Sequence, residues 1–140
     1  MRSLITGAFI AMLGLAGGVR SVLAQTASPR AALETYLTGL KTGNLSLVLG
    51  VYYFGDRRPD FHLPHPIPIE SHRVLKELVL DSVAAKEWND RGIVPAAMPG
   101  DVQLEVQERL SGHVEMFSYS LRRVDGKWLI YAHSSWGAPD

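Results

Sequence analysis

Two short turns near the C-terminal end constrain this chain more than anything else in it. Ser111-Gly112 and Asp125-Gly126 each lie between stretches in which apolar and polar residues alternate, the signature of strands joined by two-residue hairpins. Val102, Leu104 and Val106 alternate with Gln103, Glu105 and Gln107. Phe117, Tyr119 and Leu121 alternate with Ser118, Ser120 and Arg122, and Trp128, Ile130 and Ala132 complete a third strand. A turn at Asp125-Gly126 pairs Leu121 with Ile130 and Tyr119 with Ala132. A turn at Ser111-Gly112 pairs Val106 with Phe117, Leu104 with Tyr119 and Val102 with Leu121. Both registers bring all these apolar residues, Trp128 centrally among them, to one face. A one-residue slip would split the set between faces. The expectation is an antiparallel meander with one apolar surface that other elements must cover. The opposite face carries polar side chains and His133, with Met116, Leu129 and Tyr131 as a candidate contact for a homodimer.

The cover is supplied from the N-terminal side. Ser28-Pro29 is an N-cap followed by proline at the first helical position. Ala32, Leu33, Tyr36, Leu37 and Leu40 then recur at helical spacing. Gly43 supplies the stop and Asn44 a new cap. Leu45, Val48, Leu49 and Tyr52 form a second stripe, so helices are expected over about residues 29–42 and 45–54. Residues 55–68 hold four prolines and read as a loop, an extended connector rather than a lid. Residues 70–91 fit neither periodicity well; a strand near 72–82, then an irregular or helical stretch to Gly92, is the reading adopted.

The first block has a different character. Arg2 is followed by an uncharged run to Gly18, then Arg20 and the small-residue site Val22-Leu23-Ala24. This is the pattern of a secretory signal cleaved after Ala24. The run is too short and too glycine-rich for a spanning helix. Residues 1–24 are therefore expected to be a signal peptide and residues 25–140 one secreted or periplasmic domain, with no stable membrane span after cleavage. The chain has fourteen basic and fourteen acidic residues. Losing Arg2 and Arg20 leaves the domain mildly acidic, which gives nucleic acid no electrostatic hold. With no cysteine, stability must come from a packed core rather than disulfides.

Helices followed by a meander make an α+β domain. Here the chain resembles the nuclear transport factor 2-like superfamily, including its polyketide-cyclase-like and exported members. The segment Ala32-Leu33-Glu34-Thr35-Tyr36-Leu37 through Gly43-Asn44 is similar to that family's opening helix. Val124-Asp125-Gly126-Lys127-Trp128-Leu129-Ile130 is similar to its final hairpin. The resemblance implies helices packed in a curved antiparallel sheet, a cone whose open end often holds a small apolar ligand. Enzymes of that superfamily place an Asp or His base, often with Tyr, inside the cone, but the fold spans many activities.

Candidate site residues follow from the register. Glu108 pairs with Glu115, and Trp136 falls opposite Glu115, all on the apolar face near its end. Two close carboxylates can share a proton and raise one pKa. Beside the Ser111-Gly112 turn, however, these three read as a water-exposed rim. Tyr119 is the one phenol on the inner face of the two hairpins. With Tyr52 it is expected to orient a ligand in an otherwise apolar pocket. The candidate cavity lining is thus Tyr52, Tyr119, Glu108, Glu115 and Trp136, with no residue assigned to catalysis. His62 and His65 with Asp56 and Asp60 lack the converging geometry of a metal site, and no phosphate loop, nucleophile elbow or cofactor motif is present. The leading expectation is non-catalytic binding of a small apolar molecule or a protein partner. An isomerase- or dehydratase-type enzyme using Tyr119 is the alternative, and a structural dimer-forming accessory domain the third.

Overall fold

In a computed structural model, which describes residues 24–55, 62–63, 65–92 and 96–137, both C-terminal turns carry positive φ at their two central positions. The values are 42° at Ser111, 85° at Gly112, 50° at Asp125 and 79° at Gly126. This is the turn geometry that matches the twist of paired strands. The turns join β2 (Val102–Leu110), β3 (His113–Val124) and β4 (Lys127–Ser135); β1 (Ile69–Val79) adds to the far side of β2. The order is β1-β2-β3-β4, antiparallel throughout. The β2–β3 register is the expected one, Val102 to Leu121 through Glu108 to Glu115.

The β3–β4 register holds at Leu121–Ile130 and then shifts. Beyond it Ser120 faces Ala132 and Tyr119 faces His133, so β4 carries one extra residue, Tyr131. Such a bulge reverses the alternation of everything that follows. Ala132 leaves the inner face and His133 joins it, the reverse of the sequence expectation. A hairpin turn fixes the register only as far as the first bulge.

Among the described residues the sheet is accompanied by the helices α1 (Pro29–Thr42), α2 (Leu45–Gly50) and α3 (Ser82–Asp90). Ser28 caps α1 by accepting from Ala31 N–H, and Gly43 closes it in the left-handed region at φ 69°. Asn44 caps α2, which stops at Gly50, short of the expected 54. Val51 to Tyr53 instead run beside β4, with Ile130 N–H donating to Val51 O at 2.9 Å and Tyr53 N–H to Ile130 O at 2.7 Å. Gly39 lets the two helices meet, since a Cβ there would lie 2.7 Å from Val48 Cγ2. The ambiguous stretch resolves into β1 followed by α3, whose cap is Asp81.

The helix α1 packs against both outermost strands, β1 and β4. Across a flat four-stranded sheet those strands would stand roughly 14 Å apart, so the sheet curves round the helix. Register shifts in β1, near Glu70 and Leu75, accompany that bend. Leu33, Tyr36, Leu37 and Val48 meet Val102, Leu104, Val106, Leu121 and Ile130 in one buried core. The described part of the proline-rich segment is docked rather than loose: Ile67 N–H donates to Leu40 O at 2.9 Å, and Leu63 and Ile67 pack on the core.

Trp128 packs against this core but is half-buried. Its replacement by alanine is expected to cost about 1.5–3 kcal/mol, below the 3–5 typical of a fully enclosed aromatic. The exposed Lys127→Ala should stay within about ±0.5 kcal/mol. Urea midpoints decide it; equal values for the two variants would mean that the faces are exchanged.

Candidate functional site

Along β2 the inward phase reads Val102, Leu104, Val106, Glu108, Leu110, and every one of these is buried. A carboxylate thus occupies a core position. Glu108 is 2% exposed, where the sequence reading had put a solvated rim. Ile69, paired with Leu110, stands at that end of the sheet, and Leu63 and Ile67 pack on the same buried core.

The Tyr119 hydroxyl donates to Glu108 Oε1 at 2.5 Å. Among the described residues no Lys, Arg or His nitrogen lies within ion-pair distance of this carboxylate. Burial raises the Glu108 pKa above the usual carboxylate range, against the lowering effects of the Tyr119 hydrogen bond and of His72. Glu115, its cross-strand neighbour, adds a smaller rise. Tyr119 is pushed well above the usual phenol range, first by burial and then by Glu108, so it remains a donor. The neighbour on β1, His72, holds Glu34 of α1 through Nε2 at 2.6 Å.

The bulge completes the group. It sets His133 against Tyr119, the rings stacked at 6.0 Å between centroids. The strand-like exit of α2 sets Tyr52 beside β4, its hydroxyl 3.1 Å from His133 Nδ1. Tyr36 stands among them, 5.8 Å from Tyr119 edge-on and 6.0 Å from Tyr52. Phe117 stacks on Tyr119 and Phe54 on Tyr52. His133 is exposed as a residue, yet one side of its ring lies against three tyrosines. Lost hydration there lowers its pKa, which favours neutral imidazole. Burial raises Tyr52 and Tyr36, and for Tyr36 the Tyr52 and Glu108 charges add to it.

Of the five residues expected to line a cavity, the structure brings Glu108, Tyr119 and Tyr52 together. Glu115 lies beside Glu108 on the sheet, but its carboxylate is 2.9 Å from His113 Nε2 at the turn. Trp136 stands apart: after the bulge it faces Met116 across the strands, on the outer side, 46% exposed. Of the outer-face residues offered as a dimer contact, Tyr131 and Met116 are buried within the chain and Leu129 is half-buried. Sequence reasoning placed His133 outside, because no local signal announces a bulge. Glu108 did carry a signal: Leu110 continues the apolar alternation beyond it. Of the four residues set aside as metal ligands, Asp56 and Asp60 lie outside the described residues and His62 and His65 are exposed; no metal-binding cluster occurs among the described residues.

No protein-family model and no curated protein matches the chain. Among solved structures, an NTF2-like protein of unknown function from Shewanella baltica OS155 is similar, at 12% identity and a TM-score of 0.48 over 95% of this chain and 100% of that one. The α+β architecture itself, helices seated in a curved antiparallel sheet, is the one the sequence implied.

Proposed function

We propose that the domain binds a small, largely apolar molecule at the aromatic end of the cone, with Glu108–Tyr119 and Tyr52–His133 contacting its polar group. The buried Glu108 carries this reading. A carboxyl in an aromatic core, with a phenol and no cation, lowers stability, and polar groups of that kind inside an apolar site are what orient ligands. A second reading is proton-transfer catalysis, isomerisation or dehydration. It is favoured by an ionisable residue inside the cone and by a histidine stacked on that residue's phenol partner, its pKa lowered by burial. We further propose export with cleavage after Ala24. Thr26, two residues on, is buried and its carbonyl accepts from Trp128 N–H at 3.0 Å, which supports a domain that keeps the residues just after that site. No helix among the described residues is long and apolar enough to cross a membrane. A homodimer through the outer sheet face belongs to the same set of proposals.

Native mass spectrometry of the protein purified from its own host tests these together, reading retained ligand, N-terminus and stoichiometry. A thermal-shift screen with small apolar carbonyl compounds, sterols and quinones extends it, since a ligand of the folded state raises the melting temperature. Binding is expected, weakened in Glu108→Gln and His133→Ala. Exchange of the ligand's acidic hydrogens in D2O, lost in Glu108→Gln, would select the enzyme. No retained mass and no shift with any compound would leave the accessory-domain reading.

A further inference from the structure

The outer face of the sheet has a concavity of its own at the β1–β2 end, about 270 Å³, lined by Ser71, His72, Arg73, Gln107, Arg109 and Val114. Ser71 pairs with Arg109 and Arg73 with Gln107, so the two arginines occupy diagonal positions on one face. Like charges so placed repel unless something compensates them. Nothing acidic is in the lining. Glu105 is 4.0 Å from Lys76, Glu108 and Glu115 belong to the inner face, and Glu70 makes no ion pair with either arginine. Among the described residues the Arg109 side chain makes no hydrogen bond or ion pair. The one Arg73 contact is Nη2 donating to Gln107 Oε1 at 3.5 Å. That contact occupies the Gln107 acceptor and leaves its NH2 as a donor.

We propose that this concavity is an oxyanion site for a phosphate-type dianion, held by Arg73 and Arg109 with Gln107 and Ser71 as further donors. Two guanidinium forks, an amide and a hydroxyl present donors almost exclusively, which suits a group with several acceptor oxygens and two charges. The space exceeds inorganic phosphate, so a phosphate monoester or a lipid phosphate headgroup also fits. The site is separate from the cone and does not depend on its occupant.

The test titrates the whole protein with inorganic phosphate at constant ionic strength, following backbone amide shifts. A parallel arm measures retention on phosphatidylcholine vesicles with and without phosphatidic acid. Saturable shifts at Ser71, Gln107 and Arg109 are expected, weakened about tenfold or more in Arg73→Gln and in Arg109→Gln and unchanged in Arg91→Gln. These arginines are exposed, so an unchanged melting temperature certifies the fold. Binding to phosphatidic acid with weak free-phosphate binding makes the ligand a headgroup; the reverse makes it a soluble phosphate. Neither phosphate shifts nor vesicle retention would overturn the proposal. So would equal shifts with chloride, or variants that bind as the parent does.

Discussion

Asp101→Ala is expected to destabilise the domain by about 3–5 kcal/mol, the cost of removing one partner from a buried ion pair. Asp101 is 3% exposed and satisfies four donors. Arg122 reaches it twice, Nε to Oδ1 at 3.0 Å and Nη2 to Oδ2 at 2.8 Å. The Tyr131 hydroxyl donates at 2.7 Å and Met98 N–H at 2.9 Å. Arg122 also lies over the Tyr131 ring, 4.5 Å from its centre, and donates to Ala96 O. Truncation leaves a partly buried guanidinium without its carboxylate. The consequence reaches the site, because Tyr131 is the bulge residue whose extra position turns His133 inward. The ring resonances of His133 should therefore move together with the loss of stability. Arg122→Met combined with Asp101→Ala should cost less than the two single losses added, since the groups form one network. A single-variant loss below about 1 kcal/mol, with His133 unmoved, would mean that the network does not hold the bulge.

Tyr119→Ala should cost at least as much, about 3–5 kcal/mol for an enclosed aromatic, with a further penalty because Glu108 loses its one donor among the described residues. Tyr119→Phe isolates that penalty, about 1–3 kcal/mol. The sign of its pH dependence follows from Glu108. A carboxyl whose folded pKa is raised binds its proton more tightly folded than unfolded. Its contribution to stability is complete below the ordinary carboxyl value near 4.5. It declines as pH rises from there through the raised value. Glu108→Gln, which keeps the acceptor for Tyr119 and carries no charge, should thus melt higher than the parent at pH 8, the gap closing toward pH 4. His133, with its lowered pKa, acts in the opposite sense as pH falls, but it is present in both proteins and cancels from their difference. Parallel melting curves across that range would show that folding does not raise the Glu108 pKa. Stability gained at pH 8 together with ligand affinity lost would identify a group retained for binding at the expense of the fold.

Local chemistry decided much of this protein. Ser28-Pro29, Gly43-Asn44, Ser111-Gly112 and Asp125-Gly126 fix caps and turns through backbone geometry that few other residues supply. Strand alternation then assigned faces and named Tyr119, while the helical stripe of Leu45, Val48 and Leu49 named Tyr52. The segment 70–91 was unreadable by periodicity because β1 is an edge strand, largely exposed on both faces, and so shows no apolar phase. The site turned on two features that tertiary contacts complete, the second of them hinted at only by the apolar alternation continuing to Leu110. The bulge at Tyr131 is held by Asp101 and Arg122, thirty and nine residues away along the chain, and it exchanges Ala132 for His133 on the inner face. Glu108 is buried in a core that also takes in Tyr36 of α1 and Ile69 of β1, partners beyond the reach of the hairpin. Turns and caps are contracts between neighbours, legible residue by residue. Register beyond a bulge, and whether a carboxylate meets water or a phenol, depend on segments that meet only once the chain has closed on itself.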